Sequence, residues 1–224
     1  MERKYYEAYD DRYRQIHSRN LQWFDDAPTP IVVETICKYG LREHQRILEL
    51  GCGEGRDAYP LLKQGYPVLA TDISPAAIAY AKKKWPEFHE NFAVLDCISG
   101  KLPEKYDFIY AVAVVHMLVE DTHRDAFYTF IRNHLSPYGI ALICTMGDGN
   151  LERQTDIRTA FELQNRTHEP TGQEVSVAST SCRMVSFETL YQELERNGLS
   201  ILETGATSAP PDFPMLMYAV VNNL

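Results

Sequence analysis

The feature that most constrains this chain is the run Ile47-Leu48-Glu49-Leu50-Gly51-Cys52-Gly53-Glu54-Gly55-Arg56-Asp57, with Asp72 following in Thr71-Asp72-Ile73-Ser74. An apolar strand enters a glycine-rich turn, a helix comes next, and a carboxylate ends the following apolar run. That order suits a nucleotide-like ligand lying across the tops of two parallel strands. The glycines let the backbone turn sharply and approach a ligand where any Cβ would collide. Asp72 comes about 20 residues after the first glycine, where an acid can accept hydrogen bonds from two ribose hydroxyls.

The spacing narrows the ligand. Dinucleotide loops run Gly-x-Gly-x-x-Gly and hold a pyrophosphate at the helix N-terminus. Here the spacing is Gly-x-Gly-x-Gly, and Glu49 sits two residues before the first glycine. A carboxylate repels a pyrophosphate but attracts an ammonium or a sulfonium. S-adenosylmethionine carries both cations and no phosphate.

The stretch resembles the nucleotide loop of Rossmann-like (class I) S-adenosylmethionine-dependent methyltransferases, and the likeness continues through roughly residues 45 to 146. Phe92–Cys97 is similar to the family's third strand, Tyr106–Ala111 to its fourth, and His134–Ile143 to a helix end, turn and fifth strand. The resemblance implies an α/β fold with a doubly wound, mostly parallel sheet of seven strands, helices on both faces and an antiparallel last strand. It also implies S-adenosyl-L-methionine as cofactor. Glu49 would lie near its methionine end, with Gly51, Cys52, Gly53 and Gly55 on the loop beneath. Asp72 would hold the ribose and Ile73 lie beside the adenine. Asp96 and Cys97 would frame the base edge, and Ala111 of the fourth strand completes the set. The bland reading of Asp96 is an Asx turn.

His116 follows Val112-Ala113-Val114-Val115, just past the fourth strand, where strand ends face the ligand crevice. It is the candidate general base. Its bland alternative is a neutral histidine hydrogen-bonded to a loop. Amine-methylating relatives often carry a proline-containing motif such as Asn-Pro-Pro-Tyr after this strand, and Ala111-Val112-Ala113-Val114 lacks one. The Gly-Arg-Asp continuation resembles the subgroup acting on small molecules, including metalloids and thiols. The function implied is methyl transfer to O, N, S or a metalloid of a small-molecule acceptor. The alternatives are a protein or RNA methyltransferase and a non-catalytic S-adenosylmethionine-binding protein. A nicotinamide-dependent dehydrogenase is disfavoured by the loop spacing, Glu49 and the absence of a Tyr-x-x-x-Lys pair.

Strand and helix patterns alternate from Arg46 to Thr145, which predicts a parallel sheet covered on both faces. Ser74-Pro75 reads as an N-cap with proline at the first helical position, and Gly40 as a C-cap. Ser136-Pro137-Tyr138-Gly139 reads as a helix-stop turn. Residues 1–40 form a helical cap in which Tyr5, Tyr6, Tyr9 and Tyr13 share a helix face, either packing on the domain or covering the cofactor as a lid. The cofactor core spans 45–146. Residues 147–184 form a polar flap or lid, and 185–224 a helix followed by strands at Ile201–Glu203 and Met215–Val221, joined through Gly205 to Pro214. Thr145–Asn150 and Arg166–Arg183, with His168, Glu169 and Arg183, are candidates for the acceptor pocket. Trp23 and Phe24 either line it or fill the core. Glu54 is expected in solvent, and Asp57 at a helix N-terminus.

With 224 residues, 45% of them hydrophobic, the chain suits one globular domain. A net charge of −9 without a basic stripe disfavours a nucleic-acid partner. No run has membrane-spanning length, Met1–Tyr5 begins no signal peptide, and the five cysteines show neither CxxC pairing nor zinc spacing. Free thiols in a cytoplasmic, metal-free protein, monomeric or homodimeric, are therefore expected.

Overall fold

The computed structural model describes residues 3–168, 170–209 and 213–224. Five strands form its parallel centre: β1 (Ile47–Leu50), β2 (Val68–Asp72), β3 (Phe92–Val94), β4 (Tyr106–Val112) and β5 (Leu135–Met146). Between and before them lie α1 (Ala8–His17), α2 (Pro30–Lys38), α3 (Ala58–Lys63), α4 (Pro75–Lys84) and α5 (Asp121–His134). Two short pairs follow, β6 (Arg153–Gln154) with β9 (Arg183–Met184), and β7 (Leu163–His168) with β8 (Gln173–Ala178). The chain ends with α6 (Phe187–Arg196), β10 (Leu199–Ala209) and β11 (Phe213–Asn223).

The main sheet has seven strands in the order β10-β11-β5-β4-β1-β2-β3, and β11 runs antiparallel to both its neighbours. The fold is therefore the expected Rossmann-like α/β arrangement with an antiparallel last strand. Strand alternation sends side chains to opposite faces. Ile109 and Ala111 enter a core with residues of α5 and α6. Phe108 and Tyr110 enter one with residues of α2, α3 and α4. Among the described residues, no helix is long and apolar enough to cross a membrane.

Local chemistry sets the helix starts. Ser74 Oγ accepts from the Ala77 amide at 3.0 Å, and Ser186 Oγ from the Thr189 amide at 3.2 Å. The expected turn at Ser136–Gly139 is a bulge inside β5, because Leu135 pairs with Tyr106 and Ile140 with Phe108, which leaves these four residues opposite Asp107 alone. Leu135 leaves α5 directly in a β conformation and pairs with Tyr106, and Ser136 Oγ donates to Asp107 at 2.9 Å. The Ser136 side chain thus pins the bulge to β4. The final strands are also longer than expected, absorbing most of Gly205 to Pro214 into β10 and β11.

The N-terminal 40 residues divide. Ile31, Val32 and Ile36 of α2 belong to the layer beneath the sheet. α1, the turn before it and the segment from Gln22 to Asp26 lie at the carboxyl edge of the parallel strands. The β7–β8 hairpin lies on the outer side of α1, where Val175 and Val177 pack with Ile16, Leu21 and Trp23.

Candidate functional site

At the carboxyl ends of β1, β2 and β4 lies a pocket whose floor is the glycine loop. Gly51 and Gly53 have φ of +73° and +53°. A Cβ on Gly51 would stand 2.3 Å from Val114 Cγ2, and one on Gly53 would stand 2.5 Å from the Tyr13 hydroxyl. Only glycine leaves that floor open. Gly55 turns the other way, beneath the rings of Phe92 and Trp85, and does not line the pocket. It shapes the loop from behind.

Glu49 is 3% exposed, and its Oε2 has no hydrogen-bond partner. The buried Tyr110 hydroxyl stands near the Glu49 carboxyl and favours its charged form, as a donor does. Burial, and then the field of Asp57, raise the Glu49 pKa well above the usual carboxyl range. An incoming cation would reverse that balance. Asp72 accepts from the Gly53 amide at 2.9 Å and the Ser74 amide at 2.8 Å. Burial pushes its pKa up to about 6 against those two donors.

Ile73, Asp96 and Cys97 line the far end. Asp96 makes the Asx turn through the Ile98 amide at 2.9 Å, and its other oxygen binds Ser99 Oγ at 2.6 Å and Lys4 Nζ at 3.0 Å. Burial acts to raise its pKa, but the three donors outweigh it and hold the group below the usual range. Cys52 also lines the pocket; burial pushes its thiol far up, and that of Cys97 to about 12. Both remain protonated thiols at neutral pH. Ala111 is fully buried inside the sheet layer and does not reach the pocket; Val112, Ala113 and Val114 do so instead. β4 ends at Val112, one residue beyond Ala111, and Ala113 adopts φ of +58°.

His116 is likewise not brought to the pocket. The helical turn Val115–Met117 presents Met117 and the following Leu118 to the cavity and carries His116 away from it. His116 is 3% exposed, its Nδ1 is unpartnered, and its ring stands 6.2 Å from Phe213. Burial, aided by Arg124 and Arg12, lowers its pKa to about 3. Arg124 anchors this turn by donating to Val115 O at 2.8 Å while pairing with buried Glu193 at 2.7 and 2.6 Å.

The roof is α1 and the turn before it. Tyr6, Tyr9 and Tyr13 line the cavity, whereas Tyr5 turns toward α5 and accepts from the Val119 and Glu120 amides at 2.9 and 3.1 Å. The four tyrosines therefore do not share one face, because Tyr5 and Tyr6 are adjacent. Asp10 accepts from Ser74 Oγ at 2.7 Å and the Ala76 amide at 3.0 Å, securing α1 to the N-terminus of α4. Glu54, expected in solvent, is 3% exposed. It binds His17 Nε2 at 2.7 Å and accepts from the Trp23 and Phe24 amides at 2.8 and 3.1 Å. The loop acid thus secures the far end of the roof. Asp57 is buried too, accepting from the Thr29 amide at 2.5 Å and Thr29 Oγ1 at 3.0 Å.

Neither Thr145–Asn150 nor Arg166–Arg183 contributes to the pocket lining. His168 is buried beside Gln22 O at 2.5 Å, and Arg183 donates to Val119 O at 2.8 Å; Glu169 lies outside the described residues. This polar segment braces the roof from outside. Arg12 donates to Ala178 O at 2.9 Å, Ser179 O at 2.8 Å and Thr180 Oγ1 at 2.7 Å. The pocket wall comes from residues without a local motif: Phe24, Met117, Leu118 and Phe213, with Arg56 beside Phe24. Trp23 packs outside with the hairpin cluster.

Residues 47–139 match the family described as a methyltransferase domain. Over 108 residues the chain is 33% identical to hemagglutinin 1 of Eikenella corrodens, covering 46% of this chain and 35% of that protein. It is 34% identical over 108 residues to the ubiquinone biosynthesis O-methyltransferase of Rickettsia canadensis, covering 45% of this chain and 42% of that one. The chain thus spans less than half the length of these curated relatives. The crystal structure of an S-adenosylmethionine-dependent methyltransferase from Clostridium acetobutylicum superimposes with a TM-score of 0.67. That alignment covers 94% of this chain and 96% of the other at 15% identity, a likeness of fold.

Proposed function

We propose that this chain, which belongs to the Rossmann-like (class I) methyltransferase family, transfers a methyl group from S-adenosylmethionine to a small-molecule acceptor. One observation carries the reading: the unpartnered oxygen of buried Glu49 beside a glycine floor that any Cβ would fill. Burial makes the Glu49 carboxyl costly to ionise, and a cationic ligand offsets that cost. The residues present fit that cofactor.

The bound cofactor supplies a methyl group on a sulfonium centre, open to in-line attack. Glu49 offsets the positive charge at the methionine end. The loop from Gly51 to Gly53 allows close approach, and Asp72 offers its remaining lone pairs to ribose hydroxyls. Asp96 and Ile73 bound the adenine. The roof on α1 excludes water and orients the acceptor against Met117, Phe24 and Phe213. Cys52, Cys97 and Tyr13, with raised pKa values, take no proton at neutral pH. The acceptor's proton passes to water or to the carboxylates of Asp25 and Asp26 at the mouth, or is lost before binding.

A roof tied down this closely favours a small acceptor, and the acids around the mouth disfavour a polyanion such as RNA. Calorimetry tests the cofactor: S-adenosylmethionine and its demethylated product should bind and NAD should not. NAD binding with no response to the sulfonium compound would refute the reading. A pool of small acceptors incubated with methyl-labelled cofactor and resolved by mass then tests the acceptor class.

A further inference from the structure

Among the described roof residues, Tyr13 places its polar atom directly on the glycine floor. Its hydroxyl lies where it would be 2.5 Å from a Cβ on Gly53, and the ring is 7% exposed. Among the described residues that hydroxyl has no hydrogen-bond partner; the same holds for Tyr6, which is not among the atoms nearest Gly53, while Tyr9 and Tyr5 are engaged. Tyr9 donates to Ser181 O at 3.0 Å, and Tyr5 is held by the Val119 and Glu120 amides. The ring of Tyr13 is held in place by the roof attachments on either side, Asp10 on α4 and His17 on Glu54.

The surroundings specify what such a hydroxyl can do. Asp72, Glu54 and Cys52 surround it, and burial together with these acids raises its pKa far above that of free phenol. It is a permanent donor in a region rich in acceptors. The Gly53 amide, the nearest alternative donor, already serves Asp72. Arg56 lies close enough to act on Tyr13 electrostatically and lends positive potential. An anionic group on the ligand above Gly53 would meet the Tyr13 donor there.

We propose that the Tyr13 hydroxyl donates a hydrogen bond to the α-carboxylate of the bound cofactor, so that α1 reads the amino-acid end while Glu49 reads its positive charge. This rests on the cofactor reading above. It divides the two opposite charges of the methionine portion between roof and floor. It also makes Tyr13 a specificity residue: a ligand lacking the carboxylate loses its bond to α1.

The test uses two probes differing in one group, S-adenosylhomocysteine and its decarboxylated analogue, titrated by calorimetry into the wild-type protein and Tyr13→Phe. Hydrogen bonds to charged groups are the stronger kind, so wild type should favour S-adenosylhomocysteine by about 10-fold or more. Tyr13→Phe should lose about that factor toward S-adenosylhomocysteine and stay within about 2-fold toward the decarboxylated probe. The melting temperature of ligand-free Tyr13→Phe should match wild type, because the hydroxyl has no partner to lose. Equal losses for both probes, or no loss for either, overturn the assignment of Tyr13 while leaving the cofactor reading intact. Binding of neither probe by the wild-type protein overturns the cofactor reading, and the assignment with it.

Discussion

Glu54 Oε1 stands 2.7 Å from His17 Nε2, so an acid of the glycine loop holds the last turn of the helix that roofs the pocket. The same carboxylate accepts from two backbone amides just beyond that helix. Floor and roof therefore share one residue, and the order of one bears on the order of the other.

Replacing Glu54 by Ala leaves the Trp23 and Phe24 amides and the His17 ring without their acceptor. The expected loss of stability is roughly 2–4 kcal/mol, from buried donors left unpaired. Amide exchange over residues 5–24 should quicken more than exchange in β4 or β5. Uniform quickening across the sheet would mean that Glu54 supports the whole fold rather than the roof.

Glu49→Gln tests a trade between stability and binding. A raised carboxyl pKa means that, above about pH 4.5, the folded protein retains a proton that the unfolded chain has released. Folded stability from this group thus falls as pH rises from that point. The amide has no charge to bury, so ligand-free Glu49→Gln should melt no lower than wild type at pH 8. Its affinity for S-adenosylmethionine should fall roughly 10-fold, about 1.4 kcal/mol. A lower melting point with unchanged affinity would assign Glu49 a purely structural role.

Asp72 gives a bounded pH window. Its pKa of about 6 in the folded, ligand-free protein lies above the ordinary 3.8. Between those values the folded protein binds more protons, so stability falls as pH rises through the window and levels off above it. The change is roughly 3 kcal/mol. Urea unfolding from pH 4 to 7 should show this slope in wild type and lack it in Asp72→Asn. Matching slopes in both proteins would place the titration elsewhere.

His116 has the opposite sign. Its folded pKa of about 3 lies below the ordinary 6.5, so the stability it contributes is complete above pH 6.5 and is lost as pH falls toward 3. His116→Leu should unfold less readily than wild type in acid. Turnover of the variant should keep the wild-type pH profile between 6 and 8, because a neutral, walled-off imidazole takes no proton there. A loss of 10²–10⁴-fold in turnover with an altered profile would restore His116 as the general base.

The parts of this molecule legible from sequence are those encoded by local rules. Glycines against an apolar strand, Ser74-Pro75 and the alternation of β4 each act within a few residues, and the sheet and helix starts follow from them. Glu54 shows where that ends. Its surroundings come from Trp23 and Phe24, about 30 residues upstream, and nothing near Gly53 signals that a loop acid will be covered. The same holds for His116, whose place depends on a left-handed residue at Ala113 and on Arg124 pulling the next turn inward. Phe213 carries no signal at all, since it reaches the pocket only because β11 inserts between β5 and β10.

The four hydrogen bonds from Arg12 to residues 178–180 have a consequence in time. Because Arg12 sits on the back of α1, the helix cannot swing aside without carrying the β7–β8 hairpin or stripping a buried guanidinium of its acceptors. Roof and hairpin must travel together, and motions of that size belong to microseconds or longer. If the chain acts as proposed, departure of the spent ligand is expected to set the pace of turnover, as is common among enzymes with closing lids. Substitutions on the hairpin, touching nothing in the pocket, are expected to alter how long the product stays.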